Sequence, residues 1–291
     1  MKADYVLEGG GTRGIAYPSA IGVFEAAGWE PQQVAGTSAG AIVAGLMACG
    51  ARAKDLLDIL SSTDFRKFVD RRPWRGIWDT WHHLGLCRGD AFERWFESLV
   101  GDVTVSETHL PLTVFAVDAQ NRETLRFSRD SYPNLSVAAA VRCSMSIPLF
   151  FRAVQWTEID GTHRVVVDGG MTDNFPIECF DVHDRTPRWP TIGFLLDEVE
   201  GKPKPIRNVI DHGLALLSLS RVAPQKRLTA HNAYRTVQIA DGGVSWLNFA
   251  LSEAEKASLV ENGRMAAESF LARWEASGGF DGYVQTFRGG A

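Results

Sequence analysis

One pairing restricts this chain more than any other. A short apolar run, Tyr5-Val6-Leu7, breaks into Glu8-Gly9-Gly10-Gly11-Thr12-Arg13-Gly14, and one crossover later Gln33-Val34-Ala35 breaks into Gly36-Thr37-Ser38-Ala39-Gly40. Each reads as a strand, a glycine turn and a helix. The first helix is predicted over 14–27 and ends at Gly28; the second is alanine-rich and runs to Cys49. A right-handed βαβ crossover then places both strands parallel in one sheet, with both glycine turns at the same edge. Glycine loops at such an edge turn backbone N–H groups toward an anion, and any Cβ would block close approach or the required φ.

Further strands are predicted at 112–117, 164–167, 191–196 and 236–239, and helices near 53–61, 90–100, 134–143, 207–222 and 252–274. Ser252 with Glu255 fits a capping box, and Asp90 with Glu93 is a weaker variant. Strands alternating with helices argue for an α/β sandwich. Pro203 and Pro205 punctuate a loop without marking a boundary, so residues 1–291 read as one domain, with a motif-bearing core over about 3–200 and a completing segment over 201–291. The chain has 291 residues, 45% of them apolar, and a net charge of −5, which speaks against a nucleic-acid binder. Cys49, Cys87, Cys143 and Cys179 show no metal spacing and suit a reducing cytosol. The sequence shows neither a secretory signal nor an apolar run long enough to span a bilayer. The expected location is therefore cytoplasmic, with a peripheral membrane contact as a further option.

Gly36-x-Ser38-x-Gly40 between a strand and an apolar helix has the context of a nucleophile elbow, where a tight turn lifts the serine hydroxyl above the sheet. The helix behind it favours developing negative charge. The serine needs a base. None of the seven histidines stands at a strand end; His163 comes closest, but at the start of a strand. Asp168 fits better: it closes His163-Arg164-Val165-Val166-Val167 and precedes Gly169-Gly170, which puts it on the same sheet edge as Ser38. The amides of Gly10 and Gly11 are then candidates for an oxyanion hole, with Arg13 adding positive charge, holding a phosphate or pairing with an acid. Gly9-x-Gly11-x-x-Gly14 also matches a dinucleotide fingerprint. That fingerprint requires an acid ending the second strand, where this chain has Thr37-Ser38.

Residues 65–96 combine Trp74, Trp78, Trp81 and Trp95 with phenylalanines and an excess of arginine. They read either as core aromatics under a solvated basic face, or as a lid or contact with an anionic membrane.

Together, Gly9–Gly14, Gly36–Gly40, Arg142-Cys143-Ser144-Met145-Ser146-Ile147-Pro148 and Asp168-Gly169-Gly170 with Asn174 and Pro176 resemble the patatin-like phospholipase family, in family order. The stretch GLCRGDAFERWF at 85–96 is similar to a segment leading into a helix in bacterial members. Cys143 departs from the alanine common there. The resemblance implies a three-layer α/β/α sandwich around a mostly parallel sheet and a lipid or ester substrate. It further implies a Ser38–Asp168 dyad without a catalytic histidine, an oxyanion site of Gly10, Gly11 and Arg13, and no metal or cofactor. A catalytically silent lipid- or partner-binding protein of the same fold, or a nucleotide-binding module, are the alternatives.

Overall fold

The structure, a computed structural model, describes residues 1–70, 84–182, 185–197 and 231–289, with Ile206, His212 and Ala215 between them. Its centre is a sheet of β1 (Lys2–Leu7), β2 (Glu30–Thr37), β4 (Leu112–Asp118), β5 (Glu123–Phe127), β7 (Val154–Thr157), β8 (His163–Asp168), β9 (Thr191–Asp197) and β10 (Thr236–Ala240). The order is β10-β9-β1-β2-β4-β8-β7, with β5 hydrogen-bonded to β4. The pairs from β10 through β4 are parallel, and β5, β8 and β7 join antiparallel. A separate pair joins β3 (Gly85–Cys87) and β6 (Leu149–Phe151).

Period-two alternation sorts the side chains. Tyr5, Leu7, Val34, Val114, Ala116, Ile192 and Phe194 enter the main core, while Val6, Ala35, Phe115 and Leu195 face a smaller cluster closed by Phe175 and Ile177. The main core is covered by α1 (Tyr17–Ala26), α2 (Ala39–Ala48) and the 24-residue α6 (Glu253–Ala276). Phe24 binds these layers together, its ring centroid lying 5.9 Å from Tyr5, 5.3 Å from Phe194 and 5.7 Å from Phe270. Truncating a phenylalanine so placed costs about 3–5 kcal/mol. All ten residues of α2 are buried. Its small side chains permit this: a Cβ on Gly40 would stand 2.2 Å from the Leu7 carbonyl oxygen. The expected α/β architecture, a mostly parallel sheet flanked by helices, is therefore present.

The predicted strands and helices are found with boundaries shifted by a few residues, including α3 (Ala53–Ser62) and α5 (Val137–Ser144). The chain reaches α1 through a 3-10 turn at Gly11–Ala16. The Ser252–Glu255 box forms reciprocally. The Asp90–Glu93 box does not. In α4 (Asp90–Val100) the N-cap is Gly89 at φ +80°, and the helix amides are instead taken by Asp70, which accepts from Gly89 N at 3.0 Å and Ala91 N at 3.3 Å. Strands β3, β5, β6 and β7 and helix α7 (Gly279–Gly289) were not anticipated. The predicted 207–222 helix, with Pro203 and Pro205, falls outside the described residues, except that His212 and Ala215 are helical.

Asp4 on β1 is buried and accepts from Gln33 Nε2 at 2.9 Å and Trp189 Nε1 at 2.5 Å. Burial outweighs these bonds and raises its carboxyl to about 6. The folded state then binds more protons than the unfolded state between the unfolded value and about 6, so this group's contribution to stability is full at acid pH and is lost as pH rises through that window. Asp4→Asn is expected to raise the melting temperature at pH 7.5 and to change it little at pH 4, the gain in stability differing between the two by on the order of 3 kcal/mol. Thermal unfolding at the two pH values is the check; equal shifts would refute the assignment.

Candidate active site

The two predicted catalytic residues are placed at neighbouring strand ends by an arrangement of β4. One edge of β4 pairs with β5 over Val114–Asp118. The other edge pairs with β2 over Leu112–Phe115 and with β8 over Ala116–Asp118. Strands β2 and β8 therefore run toward each other along a single edge and meet at their C-terminal ends. Thr37 pairs with Phe115, and Asp168 pairs with the adjacent Ala116. Ser38 follows directly on Thr37. Gly169 lets the junction close, because a Cβ there would lie 2.3 Å from the Phe115 oxygen and 3.0 Å from Thr37 Cγ2.

Ser38 has φ +52° and ψ −122°, a conformation rarely taken by a residue with a side chain, and stored strain of about 1–3 kcal/mol is usual for such a position. Gly36 and Gly40 make the turn possible: a Cβ on Gly36 would fall 2.3 Å from the Gly40 oxygen. Ser38 is 3% exposed and Asp168 is fully buried. The Ser38 hydroxyl lies 3.7 Å from Met145 Sδ, a weak acceptor. Asp168 Oδ1 accepts from Gly170 N at 2.8 Å. Catalytic hydrogen bonds commonly tighten only when substrate arrives.

The segment after α5 clamps both residues, a role that sequence reasoning did not assign to it. Ser144 Oγ accepts from Ser38 N at 2.8 Å and donates to the Phe115 oxygen at 2.6 Å. The Ser146 oxygen accepts from Asp168 N at 2.9 Å, and Arg142 Nη1 donates to Ser146 Oγ at 2.6 Å. Burial pushes the thiol of Cys143 up to about 12, so the departure at this position adds no competing nucleophile. Ser144→Ala would orphan a buried N–H and a buried carbonyl, at about 1–3 kcal/mol each. It should also loosen the elbow and slow ester turnover about tenfold; an unchanged rate in the folded variant would show that Ser144 does not hold it.

The glycine loop lies against Ser38. A Cβ on Gly9 would stand 3.1 Å from Ser38 Cβ. Gly9 N donates to the Asn174 oxygen, and Asn174 Nδ2 donates to the Gly9 oxygen, both at 3.0 Å. Asn174 Nδ2 is also 2.8 Å from Oε1 of the buried Glu8, whose Oε2 accepts from Leu196 N at 2.7 Å. Gly10 packs on Leu196, Gly14 on Ala39, and Gly11, at φ +58°, on the Trp246 oxygen. Among the described residues, the Gly10 and Gly11 amides donate to no protein acceptor. Arg13 is buried; its Nη1 is 2.7 Å from Asp241 Oδ2 and its Nε donates to the Gly10 oxygen at 3.2 Å.

The described histidines, His109, His163, His212 and His231, are all exposed. His109 packs against Gly50, past the far end of α2 and so about 15 Å along the helix from Ser38. His163 starts β8, at the end opposite Asp168. His82, His83 and His183 lie outside the described residues. The acid that a dinucleotide site requires is absent from the end of β2, since Glu30 opens that strand. Among the described residues, no group of acidic, histidine or cysteine side chains has metal-binding geometry, and no helix is long and apolar enough to cross a membrane. Of the aromatic segment, Trp74, Trp78 and Trp81 lie outside the described residues. Its flanks are core: Phe65, Phe68, Phe92 and Phe96 are buried, and Trp95 packs 4.9 Å from Phe68.

A family model for patatin-like phospholipase matches residues 5–181. The Bacillus subtilis protein YqhO is 31% identical over 94% of this chain and 99% of its own length. The Mycobacterium bovis NTE family protein Mb2594 is 29% identical over 91% of this chain, which spans 46% of that relative. Among solved structures, VipD from Legionella pneumophila superposes with a TM-score of 0.62 at 17% identity, over 93% of this chain and 67% of VipD. ExoU from the type III secretion system of Pseudomonas aeruginosa, solved with SpcU, gives 0.55 at 17% identity, over 93% of this chain and 52% of the other. These structural likenesses concern the fold.

Proposed function

Because this chain belongs to the patatin-like phospholipase family, we propose that it is a serine acyl hydrolase acting on phospholipids or simpler esters through Ser38 and Asp168. The observation that carries this reading is the end-to-end meeting of β2 and β8 on one edge of β4, beside a glycine loop with two amides that have no acceptor among the described residues. In this reading Asp168 accepts the Ser38 proton as Oγ attacks the ester carbonyl carbon. The carbonyl oxygen gains charge and is met by the Gly10 and Gly11 amides and by the positive end of α2. The C–O bond breaks, Asp168 returns the proton to the leaving alcohol, and the acyl group stays on Ser38. Water, deprotonated by Asp168, then attacks the acyl carbon; the bond to Ser38 Oγ breaks, Asp168 returns the proton to Oγ, and the fatty acid leaves. Aspartate is a weak base, with a reference pKa near 3.9, so the dyad leans on oxyanion stabilisation.

Covalent labelling by a fluorophosphonate probe, with the modified peptide located by mass spectrometry, tests the reading. Adduct on Ser38 is the expected result. A folded protein that binds lipid vesicles yet takes no label would instead be a silent binding protein of the same fold.

A further inference from the structure

Arg13 and Asn174 each grip one end of a peptide unit whose other end is a candidate oxyanion donor. A trans peptide is planar, with its C=O and N–H on opposite sides. Arg13 Nε holds the Gly10 oxygen at 3.2 Å, which turns the N–H of the same unit, that of Gly11, the opposite way. Asn174 Nδ2 holds the Gly9 oxygen at 3.0 Å, which does the same for the Gly10 N–H. Each gripping side chain is backed by a buried carboxylate: Glu8 Oε1 lies 2.8 Å from Asn174 Nδ2, and Asp241 Oδ2 lies 2.7 Å from Arg13 Nη1.

We propose that Asp241 is a positioning residue for ester hydrolysis, fixing the direction of the Gly11 amide through Arg13. The inference rests on the acyl-hydrolase reading above. Asp241 follows β10, outside the 5–181 family match, and its own geometry is set. Oδ1 accepts from Gly243 N at 2.9 Å, and its backbone N donates to the Asp197 oxygen at 3.1 Å. The same segment reaches the loop again at Trp246, whose oxygen accepts from Thr12 N at 3.0 Å. Residues 241–246 thus hold the glycine loop at Thr12 and Arg13. A guanidinium engaged by Asp241 and by the loop's own carbonyl is placed to orient the oxyanion donors, which distinguishes this role from the phosphate-holding option left open by the sequence.

Asp241→Asn alone would remove a carboxylate that pairs with a buried arginine, and such a variant can fail to fold. The double variant Arg13→Met with Asp241→Leu replaces the pair by apolar side chains and is expected to keep its melting temperature. It should lower kcat about 10- to 100-fold, below the full loss of an oxyanion donor, with KM changed less than about twofold because ground-state binding does not use the donor. A kcat within twofold of wild type in the folded double variant would overturn the proposal. A fall in kcat accompanied by a lowered melting temperature, with KM rising in parallel, would do the same. The Gly11 amide resonance in a glycine-labelled sample gives a readout independent of turnover: it should move in the double variant, and an unmoved signal overturns the proposal. If the wild type itself hydrolyses no ester, the acyl-hydrolase reading fails, and the orientation of Gly11 is still decided by that resonance.

Discussion

Ser38→Ala is expected to lower ester hydrolysis by at least about 10³-fold, the scale on which serine hydrolases lose activity with their nucleophile, while the protein stays folded. The second half follows from what the hydroxyl touches. Its contact is Met145 Sδ at 3.7 Å, so removing it orphans no strong partner, and the Ser38 amide keeps its bond to Ser144. Stability should therefore change by less than about 0.5 kcal/mol. Ser38→Gly separates the two roles of the position further. It abolishes the nucleophile and also relieves the positive φ, which glycine adopts readily. The check is initial rates on a p-nitrophenyl ester together with thermal melts and fluorophosphonate labelling. Turnover near wild type in Ser38→Ala would end the nucleophile assignment. Substituting the seven histidines one at a time should leave each variant far above the Ser38→Ala level; one as inactive as that variant would reveal a triad.

The fold was legible where elements are long and periodic. Strands β1, β4 and β9 combine apolar residues with β-branched and aromatic ones and are buried on both faces along most of their length, as a parallel sheet requires; β2 is buried so only over its C-terminal half. The short strands β3, β6 and β7 span three or four residues and carry too little pattern to be read. The expected Asp90–Glu93 box lost to Asp70, which lies about twenty residues upstream and whose carboxylate takes the helix amides directly; local spacing cannot report a partner supplied by tertiary structure. The same limit applies to the site. Ser38, Asp168 and the glycines could be named because backbone strain and close approach demand particular residue types at particular spacings. Ser144, Glu8 and Asp241 reach those residues or their hydrogen-bond partners across the fold, and no spacing along the chain announces them. Arg13 shows the boundary well: its charge was visible, and its direction was not.

Asp168→Asn is expected to cost about 10²–10⁴-fold in rate, the range general-base catalysis usually supplies, again with the fold retained. Asparagine matches the side chain in shape and keeps an oxygen to accept from Gly170 N, which Asp168 Oδ1 does at 2.8 Å. The backbone bond from residue 168 to the Ser146 oxygen is untouched. What is lost is the ability to take and return a proton, and this predicts an inequality between substrates. A p-nitrophenolate leaves readily without being protonated. The alkoxide of a glycerolipid does not, and needs Asp168 as the acid. The variant should therefore be impaired more severely on a phospholipid or triacylglycerol ester than on a p-nitrophenyl ester of the same acyl chain, when both are measured against wild type. Equal losses on the two substrates would mean that Asp168 merely orients Ser38. A wild-type rate on either would remove it from the mechanism. Because Ser38 must also be deprotonated to attack phosphorus, fluorophosphonate labelling of Asp168→Asn should slow along with p-nitrophenyl ester turnover, whereas labelling at full speed would leave Ser38 activated by some other base.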